Sequence, residues 1–197
     1  MIPPTLIDPL DFVLEAPRVL LRRPRADDVD SIVDFYSENL EHFRPTDPER
    51  PAGFHTREWW GRRVGELEQS YREDRLLHTL VFRKDDLARV IGVVNFSNFV
   101  RGAFQACHLG YAIAEREQGR GLMREALEVA IEHTFGPMRM HRIMANHLPA
   151  NVRSAVLLAR LGFVAEGYAR RYLRVGGRWQ DFVLTSLVND DWQPAPA

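Results

Sequence analysis

The segment Gly110-Tyr111-Ala112-Ile113-Ala114-Glu115-Arg116-Glu117-Gln118-Gly119-Arg120-Gly121-Leu122 constrains the fold more than any other stretch of the chain. A strand-like run passes into a glycine-containing loop, which opens a helix with the stripe Leu122, Met123, Ala126, Leu127, Ala130, Ile131 and Thr134. The first N–H groups of such a helix lack partners within it and sit at the positive end of its dipole, so the loop suits a pyrophosphate. Gly119 and Gly121 have no Cβ and would let phosphate oxygens reach the backbone. Turn glycines ahead of a surface helix would look the same, and the loop alone leaves both readings open. A dinucleotide fingerprint would need Gly where Arg124 stands and an acidic residue about 20 positions on, where Arg139 and Met140 occur. No Gly-Lys-Ser/Thr sequence supports a nucleotide-triphosphate loop.

The rest of the chain supplies a mixed sheet. Pro17–Arg23 reads as a short strand closed by Pro24, and Asp27 as the cap of a helix carrying Val29, Ile32, Val33 and Tyr36. Glu41–Gly53, with three prolines, reads as a loop, and Thr56 as the cap of a helix with the stripe Trp60, Val64, Leu67 and Tyr71. Leu76–Phe82, Arg89–Asn98 and Phe104–Ile113 form an antiparallel meander. After the helix opened by Leu122 come a strand at His141–His147 and a helix begun by Asn151 and stopped by Gly162. A hairpin of Phe163–Leu173 and Arg178–Leu187 turns at Gly176-Gly177. The order is β-α-α-β-β-β-α-β-α-β-β: an α/β (α+β) chain with seven strands, mostly antiparallel, and four main helices.

The 197 residues fit one domain, 1–197 with a core over about 17–192, able to bury about 70% of its unfolded surface. A single cysteine, Cys107, rules out an intramolecular disulfide framework and fits a reduced, cytoplasmic setting. The net charge of −1 argues against mass electrostatic binding of nucleic acid. The balance is nevertheless uneven: residues 1–100 carry 14 basic and 18 acidic side chains, residues 101–197 carry 12 and 9, so an anionic ligand should prefer the second half. Met1–Asp8 has no basic n-region and no long apolar run, so no signal peptide is expected, and apolar runs are too short for a membrane helix. Gln193–Ala197 is expected to fray.

Arg116-Glu117-Gln118-Gly119-Arg120-Gly121 matches the (Gln/Arg)-x-x-Gly-x-(Gly/Ala) coenzyme A motif of the GNAT acetyltransferases, and it falls between the expected strand and helix. Ile91–Asn98, His141–Asn146 and Leu158–Phe163 resemble the RimJ/RimL-type ribosomal-protein N-terminal acetyltransferases, over about Arg18 to Trp192. The resemblance implies the GNAT fold, splayed between strands four and five. It also implies transfer of acetyl from acetyl-CoA, a cosubstrate, to a protein N-terminus, that of a small-subunit ribosomal protein beginning with alanine. No metal, membrane or direct nucleic-acid contact is implied, and both monomers and homodimers occur in the family.

Residue by residue, the resemblance has the amides of Gln118, Gly119, Arg120, Gly121, Leu122 and Met123 hold the pyrophosphate, with Arg116 in the motif and Arg120 and Arg124 near the phosphates. Ala112 and Ile113 would pair with the pantetheine arm, and the Ile113 N–H would bind the thioester oxygen and the oxyanion developing on it. Asn151 matches the Asn that bonds the pantetheine. Many members place a Tyr seven residues later to protonate the leaving thiolate; here that position is Leu158. Relatives instead use a Ser three residues after the Asn, which matches Ser154, although Ser154 could simply bond within its helix turn. The carboxylate base of those relatives falls on Leu173, so that role is vacant. An α-amine tolerates the vacancy, because with an unperturbed pKa near 7.7–8.0 about a tenth of it is neutral at pH 7. Asn95, His108 or Glu166 could take the remaining proton through water.

The other tempting features read as structural: Cys107 as a small buried hydrophobe, one of Trp59 and Trp60 as packing, and Arg170, Arg171 and Arg174 as a solvated hairpin face. The histidines show no metal-ligand spacing. Two rivals remain: the same fold acting on a small amine such as an amino acid, polyamine or drug, and a coenzyme-binding ribosome-assembly factor.

Overall fold

The computed structural model describes residues 12–194. Met1–Asp8 and the last three residues of the expected frayed tail lie outside them. The strands are β1 Val13–Glu15, β2 Val19–Arg22, β3 Leu77–Arg83, β4 Asp86–Val100, β5 Ala106–Ile113, β6 Arg142–Met144, β7 Val164–Val175 and β8 Arg178–Val188. The helices are α1 Val29–Glu38, the one-turn α2 Leu40–Phe43, α3 Arg57–Arg72, α4 Leu122–Phe135 and α5 Val152–Arg160.

One sheet runs in the order β1-β2-β3-β4-β5-β6-β8-β7. The expected seven strands are present; the eighth, β1, is a three-residue edge strand too short to show a period. All neighbours are antiparallel except β5 and β6. β4 is central and buried on both faces over Val90–Val94, which is why it reads as a continuous apolar run.

Each face of the sheet has its own core. On one, the whole α4 stripe is buried, together with Leu77, Val81, Phe96, Cys107 and Leu158. On the other, Ile32, Phe35 and Tyr36 of α1 and Trp60, Val64 and Leu67 of α3 cover Leu80, Phe82 and Val93. Trp60 is the packing tryptophan, and Tyr36 stacks on it at 5.4 Å. Thr56 caps α3, its Oγ1 accepting from the Trp59 N–H at 3.3 Å. Asp27 does not cap α1 and faces solvent; α1 has no side-chain cap, and the Asp28 carboxylate instead closes the 3-10 turn Ala26–Asp28 that leads into it, accepting from the Arg25 N–H at 2.7 Å and pairing with Arg22.

The expected His141–His147 strand shortens to Arg142–Met144. Only Ala106, Cys107 and His108 of β5 have partners in β6. Beyond Met144 the chain stays with β8, through Ala145 N–H to Thr185 O at 3.0 Å and His147 N–H to Val183 O at 3.1 Å. The sheet therefore splays between β5 and β6, the fourth and fifth of the seven expected strands.

Candidate active site

The loop between β5 and α4 is tied down before any ligand is considered. Its entry is held by Asn39, whose Oδ1 accepts from the Glu115 N–H at 2.9 Å. The Glu117 carboxylate is buried and meets three guanidiniums, those of Arg120 at 3.2 Å, Arg83 at 3.6 Å and Arg116 at 3.8 Å. Arg18 closes the far side: its Nη2 donates to Arg120 O at 2.8 Å, and its backbone N–H and Nε donate to Glu125 at 3.0 and 2.7 Å. Gly119 and Gly121 both take left-handed backbone, φ +73° and +78°, which glycine adopts without strain. Gly121 is the N-cap of α4, and no side chain caps that helix. The loop thus sets the glycine backbone at the N-terminal, positive end of α4, a cradle whose backbone setting suits an anion.

Above the cradle, the end of β5 has an open edge. The Ala114 N–H donates to Ile91 O at 2.8 Å, on the β4 side. Strand alternation then turns the amides of Ile113 and Tyr111 away from β4, to the side that β6 has left. That edge offers N–H and C=O groups to an extended ligand bearing amides of its own.

The opposite wall is the start of α5. Asn151 caps it, its Oδ1 accepting from the Ser154 N–H at 3.2 Å. The Ser154 Oγ lies 2.7 Å from the Tyr111 phenol oxygen. Burial pushes the Tyr111 phenol up to about 12, against a smaller lowering by the Ser154 hydrogen bond. Gln118 bridges the mouth, bonded through Nε2 to His42 at 2.6 Å and through Oε1 to Arg153. Leu158 is 1% exposed and belongs to the core.

No strong base stands at the positions proposed for one. Leu173 is an exposed aliphatic side chain. Glu166 is clamped by Arg142, which holds its carboxyl below the usual range. His108 is half-buried, and burial lowers its pKa. Cys107 is fully buried, and burial pushes its thiol up to about 12, so it is a core residue and no nucleophile. Among the described residues no group of three or more His, Cys, Asp or Glu is placed to hold a metal ion. No helix among them is long and apolar enough to cross a membrane.

Residues 18–164 match the family model of the acetyltransferase (GNAT) domain. The chain belongs to the GNAT acetyltransferases. It is 42% identical to the [ribosomal protein uS5]-alanine N-acetyltransferase of Escherichia coli over 92% of this chain and 93% of that one. The crystal structure of ribosomal-protein-S5-alanine acetyltransferase from Vibrio fischeri superposes with a TM-score of 0.89 at 38% identity, covering 93% of this chain and all of that one. Mycobacterium smegmatis RimJ, solved in complex with a CoA-disulfide, superposes at 0.84 with 27% identity, over 93% and 89% of the two chains.

Of the site residues expected from this GNAT sequence, Ala112 and Ile113 end β5, Gln118 to Gly121 form the loop that follows, and Leu122 and Met123 open α4 with their side chains buried in the core, while Asn151 and Ser154 start α5, which Ser154 ties to β5 through Tyr111. The side chains of Arg116 and Arg124 are engaged elsewhere, with Glu38 at 3.1 Å and Glu128 at 2.8 Å. Sequence reasoning missed Arg18, His42, Arg153 and Tyr111. Only Tyr111 left a signal: in a strand it shares its face with Ile113, two residues on.

Proposed function

We propose that this enzyme transfers the acetyl group of acetyl-CoA to the N-terminal α-amine of a ribosomal protein beginning with alanine. In this reading it works in the cytoplasm as a single catalytic domain. Likeness to the uS5-alanine acetyltransferases over 92% of the chain supports the acceptor. The observation that carries the chemistry is the open edge of β5 running from the Ile113 amide into the Gly119–Gly121 cradle.

Acetyl-CoA, when bound, supplies the acetyl group as a reactive thioester. The cradle amides from Gly119 to Met123 hold the pyrophosphate, the Gln118 N–H being already taken by Glu115 O at 3.2 Å, and the edge beside Ala112 pairs with the amide-bearing arm through the outward Ile113 N–H, with the Asn151 side chain bonding it from α5. The Ile113 N–H stabilises the negative charge that develops on the carbonyl oxygen. Ser154 donates its hydroxyl proton to the departing sulfur. With Leu173 in place of a carboxylate, the acceptor must arrive largely neutral, which favours an α-amine over a lysine with pKa near 10.4. Holding amine and carbonyl in line supplies much of the acceleration, up to about 7–11 kcal/mol in well-aligned systems.

The test is one Ala-initiated peptide carrying an internal lysine, with the acetyl group located by fragmentation mass spectrometry. Acetylation at the N-terminus is expected. Acetylation mainly on the lysine would overturn the acceptor assignment, as would unchanged ribosomal-protein masses in cells lacking the enzyme.

A further inference from the structure

The Tyr111–Ser154 hydroxyl pair joins the two walls of the splay, and neither the coenzyme motif nor the capping of α5 requires it. Each hydroxyl owns one hydrogen, so in a pair 2.7 Å apart one group donates while the other keeps its hydrogen for a third atom. A phenol is more acidic than an aliphatic alcohol and is the better donor. The favoured arrangement has the Tyr111 O–H donating to Ser154 Oγ, which leaves the Ser154 hydrogen free to point into the groove. Ser154 is held in place by its own backbone bond to Asn151. The position on α5 where a phenol would otherwise stand is Leu158, sealed in the core.

We infer that Tyr111 is a positioning residue that acts through Ser154, orienting its hydroxyl toward the leaving sulfur and replacing the proton Ser154 gives up. This rests on the role assigned to Ser154 above. As the C–S bond breaks, its electron pair stays on sulfur, and Ser154 passes its Oγ proton to that sulfur. Tyr111 passes its own proton to Ser154 and recovers, through water, the proton that the acceptor nitrogen sheds as the amide forms. Protons balance, and no further reactant is needed. Because burial holds the phenol up at about 12, Tyr111 keeps its proton across the working pH range and is replenished each turnover.

The experiment compares Tyr111→Phe, Ser154→Ala and the double variant, after thermal unfolding has shown all three folded. Each single variant should lose about 10–100-fold in kcat, with the acetyl-CoA Kd from calorimetry within about twofold of the parent. The double variant should be no slower than the slower single, since both break one relay. With the selenoester analogue of acetyl-CoA, whose more acidic selenol leaves as the anion, the Tyr111→Phe defect should shrink to within about threefold; a merely structural defect would persist. Without any ligand, the carbon-13 Cζ resonance of Tyr111, assigned by its loss in Tyr111→Phe, should move in Ser154→Ala.

Full kcat in Tyr111→Phe, losses that multiply in the double variant, a defect the selenoester fails to relieve, or an unmoved resonance would each overturn the relay. Full kcat in Ser154→Ala beside a slow Tyr111→Phe would sink the role of Ser154 and make Tyr111 the direct acid. Any amine the enzyme acetylates serves for the comparison, because the leaving group is the same, so a wrong acceptor assignment would not affect it.

Discussion

The two sides of the splay are built to opposite standards. On the β1–β5 side each strand pairs antiparallel with the next, β4 is covered on both faces over Val90–Val94, and even the loop to α4 has its Glu117 carboxylate met by guanidiniums. On the other side, β7 is exposed from Val164 to Arg174 at every residue but Ala169, and Trp179 on β8 is 62% exposed. The difference matches what each side meets under the proposed function. In that proposal the coenzyme does not vary, so a rigid backbone frame would suffice for it, whereas an acceptor approaching Leu173, the family's base position, would meet side chains on a hairpin with little core beneath it. Among the described residues the only β-ladder between the two is the three-residue pairing of β5 with β6.

The sharpest way to break this contrast is Gly121→Val. At φ +78° a β-branched residue is strained by about 1–3 kcal/mol, and its Cβ would meet Arg18 Nη2 at 3.3 Å. Seven buried residues anchor α4, so the fold should persist while the acetyl-CoA affinity falls about 100-fold or more. The same change at Gly177, with φ +80° at the hairpin turn, should leave that affinity untouched. Calorimetry on both variants decides the matter, and equal losses would erase the distinction between the sides.

Next in size is the pH response of the acceptor side. With Leu173 exposed and Glu166 held by Arg142, the fraction of neutral α-amine should limit the rate. The value of kcat/KM should rise nearly tenfold per pH unit below about 7.5 and flatten near pH 8. A rate peaking near pH 6 would reveal a strong base in the site.

A smaller effect sharpens the description of the rigid side. His78 on β3 lies under Trp60 with its Nε2 unpartnered, and its pKa is lowered to about 4, first by burial and then by Arg63. Above pH 6.5 the imidazole is neutral in both folded and unfolded chains. Between 6.5 and about 4 only the unfolded chain takes up the proton, so stability falls as pH drops through that window and levels off below it. The loss should be about 2–3 kcal/mol, and His78→Gln should remove it, read as the shift in urea midpoint between pH 7 and 4.5.

What could be read in advance divides along the same seam. The α4 stripe, the Thr56 and Asn151 caps and the left-handed glycines are local, each written within one or two helical turns of sequence, and they set the loop between β5 and α4. Arg18 over Arg120, His42 against Gln118 and Tyr111 against Ser154 are contacts across 102, 76 and 43 residues, set by how the sheet closes, and no local period encodes them. The shortening of the His141–His147 strand had the same origin, because competition between β5 and β8 for its backbone is a tertiary matter. Asp27 fails as the cap of α1 because a 3-10 turn, Ala26–Asp28, precedes the helix and is closed by Asp28, whose carboxylate is held by Arg22 of β2.

The smallest expected effect probes whether the exposed hairpin is held near the rigid body. Its tip is tied to the segment after α2 by a bridge between Pro48 and Val175 and by the ion pair of Arg174 with Glu49 at 3.3 Å. Both side chains are about half exposed. A pair in that setting contributes about 0.2–1 kcal/mol, at most about a fivefold factor. Glu49→Gln should therefore raise the KM for an N-terminal peptide about two- to threefold, and leave the acetyl-CoA Kd and the melting temperature nearly unchanged. High salt on the parent enzyme should raise that KM in the same direction, because the pair is screened by solvent ions. A change in acetyl-CoA affinity instead would mean that the hairpin helps to shape the coenzyme cradle, and the two sides of the splay would have to be treated as one binding unit.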